Sequence, residues 1–340
     1  LPSYTMTEKE LAWRWRGLRG REVLTSGGKM RVLYPGRANG GGGPDFIGAA
    51  LLGDKGMVRG DVEVHLSSRD WRAHGHHRDP HYNNVVLHVV MVDDAPGHIP
   101  SLVMGPPAGE DPLPCSRNAS LPVLVRLGEE RFRAKGQRLL GMAEDRGPGQ
   151  ALYEGVMEAL GYSRNQGPMV ELARLLPLAV LEGEGLSGVE GRLREGAEKI
   201  PGWELSGARP TNHPFVRLRA MAGLFHRYRE GGLFEGLRRV VALARGASQV
   251  EAGLMVPGLG RARAAAIAVN VLLPFFNALG LEGARDLFLA YPLREESGLV
   301  RQMREQLGLG PLSLACQEQG LLHLHQAFCR EGRCGKCPLS

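Results

Sequence analysis

Asp45 follows Pro44 at the head of one apolar run, and Asp61, Glu63 and His65 stand at alternate positions of the next, GDVEVH. A period of two puts those three side chains on one face of a strand, with Val62, Val64 and Leu66 on the other. A hairpin between the two runs carries the Asp45 carboxylate towards the polar face. Two carboxylates with an imidazole suit a divalent cation and an activated water. The expectation is that one face packs and the other does chemistry, with three ionisable side chains on a merely solvated face as the alternative.

Just beyond, SRDWRAHGHHRDPHYNN holds Asp70, His74, His76, His77, Asp79 and His81 within twelve residues. The stretch has neither a His pair at i, i+4 with a glutamate nor the spacing of a Cys/His finger. One or two of these histidines, His74 and His77 foremost, are expected to complete the pocket or hold a phosphate with Tyr82, the rest being surface. A separate zinc site built from the cluster is the rival arrangement. Glu10 and Asp61 are further supporting groups, and His88 is expected to be a satisfied core residue.

The elements that must position these groups are short. TEKELAWRWRGLR sets Leu11, Trp15 and Leu18 at helical spacing behind a threonine cap. KMRVLY is a strand stopped by Pro35, and GRANGGGGPD is a hinge or turn, lacking the Lys-Ser/Thr of a phosphate-binding loop. From Phe46 two strands are joined by a DKG turn, a short helical region follows, and Val85 to Val92 is a buried strand.

On these residues, Pro44-Asp45, a hairpin and Glu63-Val64-His65, the chain resembles the PD-(D/E)-x-K nucleases of restriction-endonuclease-like fold. Their core is a helix, three strands, a helix and another strand. The resemblance implies a metal-dependent phosphodiesterase acting on nucleic acid, with Asp45 and Glu63 holding Mg2+ or Mn2+. His65 stands where that family has lysine and would place or deprotonate water, completing the catalytic set. A second resemblance, to an uncharacterised bacterial family, rests on GPDF, GDVEVH, HGHHRDPHYNNVVLHVV, RPTNHPFVRLRAMA, NVLLPF and QGLLHL followed by C-x4-C-x2-C. It supplies no activity. The competing functions are an inactive nuclease fold that binds nucleic acid, and a zinc hydrolase of a small substrate using the His cluster.

At 340 residues the chain exceeds what one core usually fills. The expected division is an α/β nuclease-like domain over 1–122, an all-helical domain over 123–310 and a Cys-rich metal staple over 311–340. A formal charge of +6 leans towards a polyanionic partner, DNA ahead of RNA. No run reaches the roughly 18 apolar residues of a membrane span, and no secretory signal is visible. In the helical part, Arg217 and Arg219 are candidate phosphate contacts, though a solvated helix face has the same look. VPGLGRARAAAIAVN resembles a helix-hairpin-helix turn with contacts at Gly258, Gly260 and Arg261, or else a Gly-rich turn before a packed helix. Cys329, Cys334 and Cys337, with Cys316 or His323, offer four soft ligands for Zn2+ or an iron–sulfur cluster. Cysteines crowded at one end argue for a local metal site in a reducing cytoplasm rather than a disulfide framework.

Overall fold

The computed structural model describes residues 7–95, 97–104, 118–162, 164–205, 213–329 and 336–339, the side chains of Lys9, Glu10, Gln302 and Gln306 excepted. The chain forms two compact units. One comprises Leu1–Leu124, Glu296–Pro311 and Gly320–Ser340, the other Val125–Glu295 and Leu312–Gln319. Set beside the expected boundaries at 122/123 and 310/311, the first break falls at Leu124, and most of the C-terminal stretch groups with the sheet.

The first unit is built on a seven-stranded mixed sheet. Its strands are β1 (Glu22–Thr25), β2 (Gly28–Tyr34), β3 (Arg37–Ala38), β4 (Phe46–Gly53), β5 (Gly56–Ser67), β6 (Val85–Val92) and β7 (Ser101–Val103), in spatial order β1-β2-β4-β5-β6-β7 with β3 beside β4. Pairing is antiparallel from β1 through β5 and parallel for β5-β6 and β6-β7. Ser26 donates its N–H to the Ser101 carbonyl at 2.8 Å, so the two ends of the sheet approach closure. Helix α1 (Glu8–Gly17) drives Leu11 and Trp15 into a core with Val32, Phe46, Leu51, Val62, Val64, Leu87 and Val89. The buried Trp15 indole donates to the Pro35 carbonyl at 2.9 Å, which satisfies its one polar atom.

A parallel β5-β6 pair cannot be closed by a tight turn. The chain crosses over through α2 (Asp70–Ala73) and two 3-10 turns, His76–Arg78 and Pro80–Tyr82. That crossover is the histidine-rich stretch. It covers the face expected to do chemistry, against the alternative of a solvated one: Asp61, Glu63 and His65 are all buried, at 7%, 5% and 2% exposure. Asp61 is also turned away from the chemistry, because its two oxygens accept from the Gly48 N–H at 2.8 Å and the Asn84 amide at 3.2 Å. It pins the β4 irregularity at Gly48 and the end of the crossover.

The second unit is helical, beginning within α3 (Leu121–Arg146) and continuing through α4 (Pro148–Leu160) and further helices to Ala284–Leu289. Tyr153, Phe275, Phe276, Phe288 and Leu272 lie in its core. A π turn over Ala268–Leu272 precedes Pro274, which has no N–H to give to a regular ladder.

Candidate metal centre

The carboxylates are placed by the backbone. Asn39 clamps the glycine loop, donating from Nδ2 to the Pro44 carbonyl at 2.9 Å and to the Gly42 carbonyl at 3.2 Å. This delivers Asp45 to the mouth of β4, where two reciprocal bonds tie it to β5. The Asp45 N–H donates to Glu63 Oε2 at 2.9 Å, and the Val64 N–H donates to Asp45 Oδ2 at 3.1 Å. Burial, with the neighbouring Asp45 charge, pushes the Glu63 carboxyl up to about 8. Asp45 is raised by burial too, against the Val64 bond and with a push from Glu8. Glu8 is thus the α1 acid that this pair feels, while the side chain of the expected Glu10 lies outside the described residues.

Facing Glu63 are three imidazoles. His65 Nε2 lies 3.5 Å from Glu63 Oε1 and 3.1 Å from His74 Nδ1, and His76 Nε2 lies 3.3 Å from the same Glu63 oxygen. The three histidines can each offer a nitrogen within 4.8 Å of the others, the one such His/Cys/Asp/Glu group among the described residues. Burial lowers the His65 ring to about 3, helped by His88, His76 and His74, and lowers His76 as well. Glu63 and His65 therefore do not form an ion pair at neutral pH. Imidazole lone pairs gather beside the raised Glu63 carboxyl.

That crowding fits a cation. Edges of a tetrahedral site with metal–nitrogen bonds of about 2.0–2.1 Å are about 3.3 Å, and the three separations above bracket that length. His76 Nε2 supplies an independent sign, being buried with no hydrogen-bond partner despite the nearby Glu63 oxygen. A buried imidazole nitrogen left without a partner costs desolvation that a bound ion would offset. His65 also has its outer nitrogen fixed, with Nδ1 2.9 Å from Nε2 of the buried His88. A proton on His65 Nδ1, donated to His88, leaves the Nε2 lone pair facing Glu63. Tyr82 stacks on His76 with centroids 3.8 Å apart, and Trp71 packs edge-on to both.

Of the residues expected from sequence, Asp45, Glu63, His65, His74 and Tyr82 come together. His77 does not. It is exposed, because a 3-10 turn rotates successive side chains by about 120° and sends His76 inward instead. The group missed from sequence is His76 with its support His88, whose pairing with His65 depends on the parallel register Glu63↔His88 and His65↔Val90. The density of histidines was a signal for the region but not for the member.

In the helical unit Arg217 is buried and committed, donating to the Gly258 carbonyl at 2.7 Å and to Tyr162 Oη at 3.0 Å. This corrects its expected role as an open phosphate contact. Gly258, at φ 85°, leaves a Cβ no room beside the Val216 carbonyl, so its turn is packed against the helix Pro214–Arg227. Arg261 is exposed, its Nε 3.5 Å from the buried Glu251 carboxylate. Gly260 caps Arg261–Ile267 with open space around it, and Arg219 is exposed. Cys316 is buried, its thiol raised by burial and 3.7 Å from the Leu289 carbonyl. Cys316 belongs to the helical unit, and Cys329, Cys337 and His323 to the sheet unit. Cys334 lies outside the described residues.

Residues 10–101 match the model of a family described as a protein of unknown function (DUF2851). The match covers α1 to the start of β7, and with it every residue of the metal centre but not the rest of the chain. No curated protein and no solved structure matches.

Proposed function

We propose that the chain is a divalent-metal-dependent hydrolase of phosphodiesters, with nucleic acid as its substrate. The observation that carries this reading is the group His65, His74 and His76, with ligand nitrogens all within 4.8 Å of one another and Glu63 Oε1 3.5 Å from His65 Nε2 and 3.3 Å from His76 Nε2. The phosphodiester part draws on topology: α1, three antiparallel strands β2, β4 and β5, the short α2 and the parallel β6 run in the order of the nuclease core that Pro44-Asp45 and Glu63 resemble. The imidazole-rich donor set favours zinc or another transition ion over the Mg2+ expected from sequence, with Mn2+ common to both.

Glu63, His65, His74 and His76 would hold the ion, with Asp45 at its edge. A bound divalent ion supplies Lewis acidity and a more acidic water. The protein's own groups orient and protonate. His65 keeps its Nδ1 proton against His88 and presents Nε2 inward. Burial, with the Glu63 and Asp45 charges, pushes the Tyr82 hydroxyl up to about 12, so Tyr82 stays a neutral donor for a phosphoryl oxygen at any working pH. A zinc hydrolase of a small substrate uses the same imidazoles and differs in what it cleaves.

The test is metal content and cleavage measured together. Wild type purified without chelator should carry one transition ion at this centre and hydrolyse bis(p-nitrophenyl) phosphate and oligonucleotides. Glu63→Gln and His76→Ala should lose the ion and slow hydrolysis at least a hundredfold while staying folded. A folded wild type that takes up no Zn2+ or Mn2+ sinks the metal centre; one that binds metal but cleaves only carboxylic esters or amides moves the chain to the small-substrate reading.

A further inference from the structure

The helical unit holds a second place built for negative charge. Around the C-terminal half of the helix Pro214–Arg227, two clefts of about 380 and 470 Å3 meet along Arg227 and Arg229. The first is lined by Arg219, His226, Arg227 and Arg229 with no carboxylate. The second adds Arg239 and is edged by Glu230 and Glu235. Positions 219, 223, 226 and 227 share one helix face, and Gly223 keeps that face low where Val256 packs against it.

Two of these arginines are held in place but not neutralised. Arg227 Nη1 donates to the Ala252 and Gly253 carbonyls at 2.8 and 3.1 Å, and Arg229 Nη1 donates to the His226 carbonyl at 3.2 Å. Neutral acceptors orient a guanidinium and leave its charge intact. The nearest carboxylates, Glu190 to Arg219 at 3.9 Å and Glu230 to Arg229 at 3.8 Å, are at the limit of an ion pair and exposed, where such pairs contribute little. Complementing the helix dipole accounts for cations in the last turn. It does not account for Arg219, two turns earlier, or Arg239 on the next helix, Leu233–Leu243.

We infer that the joined clefts are a track for the phosphodiester backbone of a nucleic-acid strand, an inference that rests on the substrate class proposed above. Each cleft is far larger than one phosphate, and cations are strung through both, so the chemistry fits a polymer of phosphates rather than a free one. Spaced guanidinium groups, Arg227 and Arg229 among them on neutral anchors, match spaced diesters, which they bind with release of counterions.

The experiment is equilibrium binding of a fluorescein-labelled oligonucleotide by anisotropy, in EDTA so that no cleavage intervenes. Arg219→Glu/Arg229→Glu/Arg239→Glu should weaken binding at least tenfold. Arg219→Ala and Arg239→Ala, exposed single changes that guard against loss of fold, should each reduce the slope of log affinity against log salt by about 0.7, one phosphate contact on a single strand. Unchanged affinity and slope in these variants overturns the track. So does orthophosphate that competes as tightly as the oligonucleotide at equal ionic strength, or binding to phosphatidylserine vesicles that shows the same arginine dependence without oligonucleotide binding. Since binding is read without metal, a wild type that binds but never hydrolyses fails the proposed function and leaves the track standing.

Discussion

His88 is buried, and its Nε2 lies 2.9 Å from His65 Nδ1, where it bears on how His65 is presented. Burial drives its ring down to about 4 against the pull of Asp93, so it stays neutral, with Nε2 2.9 Å from His65 Nδ1, where as acceptor it would leave the His65 Nε2 lone pair free. Replacing it with leucine keeps the volume and removes the acceptor. His88→Leu should weaken metal binding by about 10–100-fold, the usual effect of losing such a supporting partner, as read by competition with a chromogenic chelator. An unchanged affinity would show that His65 needs no support. The residue-scale lesson is about identity within a cluster. Asp45, Glu63 and His65 are legible from one strand period, while the choice of His76 over His77 depends on one 3-10 turn.

At the scale of elements, Asp61 shows how a residue on the right face acquires a different task. It shares the polar side of β5 with Glu63 and His65, but local irregularities on both neighbours, between Phe46 and Ala49 and between Asp61 and Val62, turn its oxygens to Gly48 and Asn84. Asp61→Ala should therefore lower stability by about 1.5–3 kcal/mol, the range for hydrogen bonds to a charged group, in denaturant unfolding, with metal content unchanged. Loss of metal in a folded variant would return Asp61 to the site. In the helical unit the π turn places Asn270 to accept from Lys135 Nζ at 2.9 Å. Burial first, then Arg131 and Arg138, lowers the Lys135 amine from 10.5 to about 7. Between those values the unfolded chain binds the extra proton, so this group's contribution to stability rises with pH above about 7 and levels off near 10.5. Lys135→Met should flatten that rise in urea midpoints taken across the range.

At the scale of the molecule, the two compact units carry separate cores, and the candidate metal centre lies within one of them. An ion that binds only the folded form at a concentration of 100 times its Kd stabilises that form by about 2.7 kcal/mol. Calorimetry should accordingly show EDTA lowering the transition of the sheet unit and leaving the helical unit's in place; a uniform shift of one transition would mean that the units unfold as one. Metal analysis extends the prediction to the C-terminal cysteines, where the expected Zn2+ or iron–sulfur ligands include Cys337. His76→Ala and Cys337→Ser should each remove a different share of the bound metal, and a Cys337→Ser protein with undiminished content would make those cysteines plain thiols. Among the described residues no helix is long and apolar enough to cross a membrane.

The sequence by itself determined whatever depends on periodicity and local chemistry. The alternation in GDVEVH, the Pro-Asp head of β4, the helical spacing of α1 and the change to a helical pattern beyond residue 122 all follow from side chains a few positions apart, and all are found. The sequence also marked the histidine-rich stretch as important. Only the tertiary structure decided that this stretch is a crossover lying over the polar face of β5, because parallel pairing of β5 with β6 is a contact between residues far apart in the chain, such as Glu63 and His88. That pairing made the face expected to do chemistry a buried pocket. Burial then did what no spacing predicts: it raised Glu63, lowered the His65 and His76 rings and left His76 Nε2 without a hydrogen-bond partner. Arg217 and Arg219 make the same point in the helical unit. Two positions apart on a helix they differ by about 200° in direction, so one is spent inside on the Gly258 carbonyl while the other stands in the open cleft.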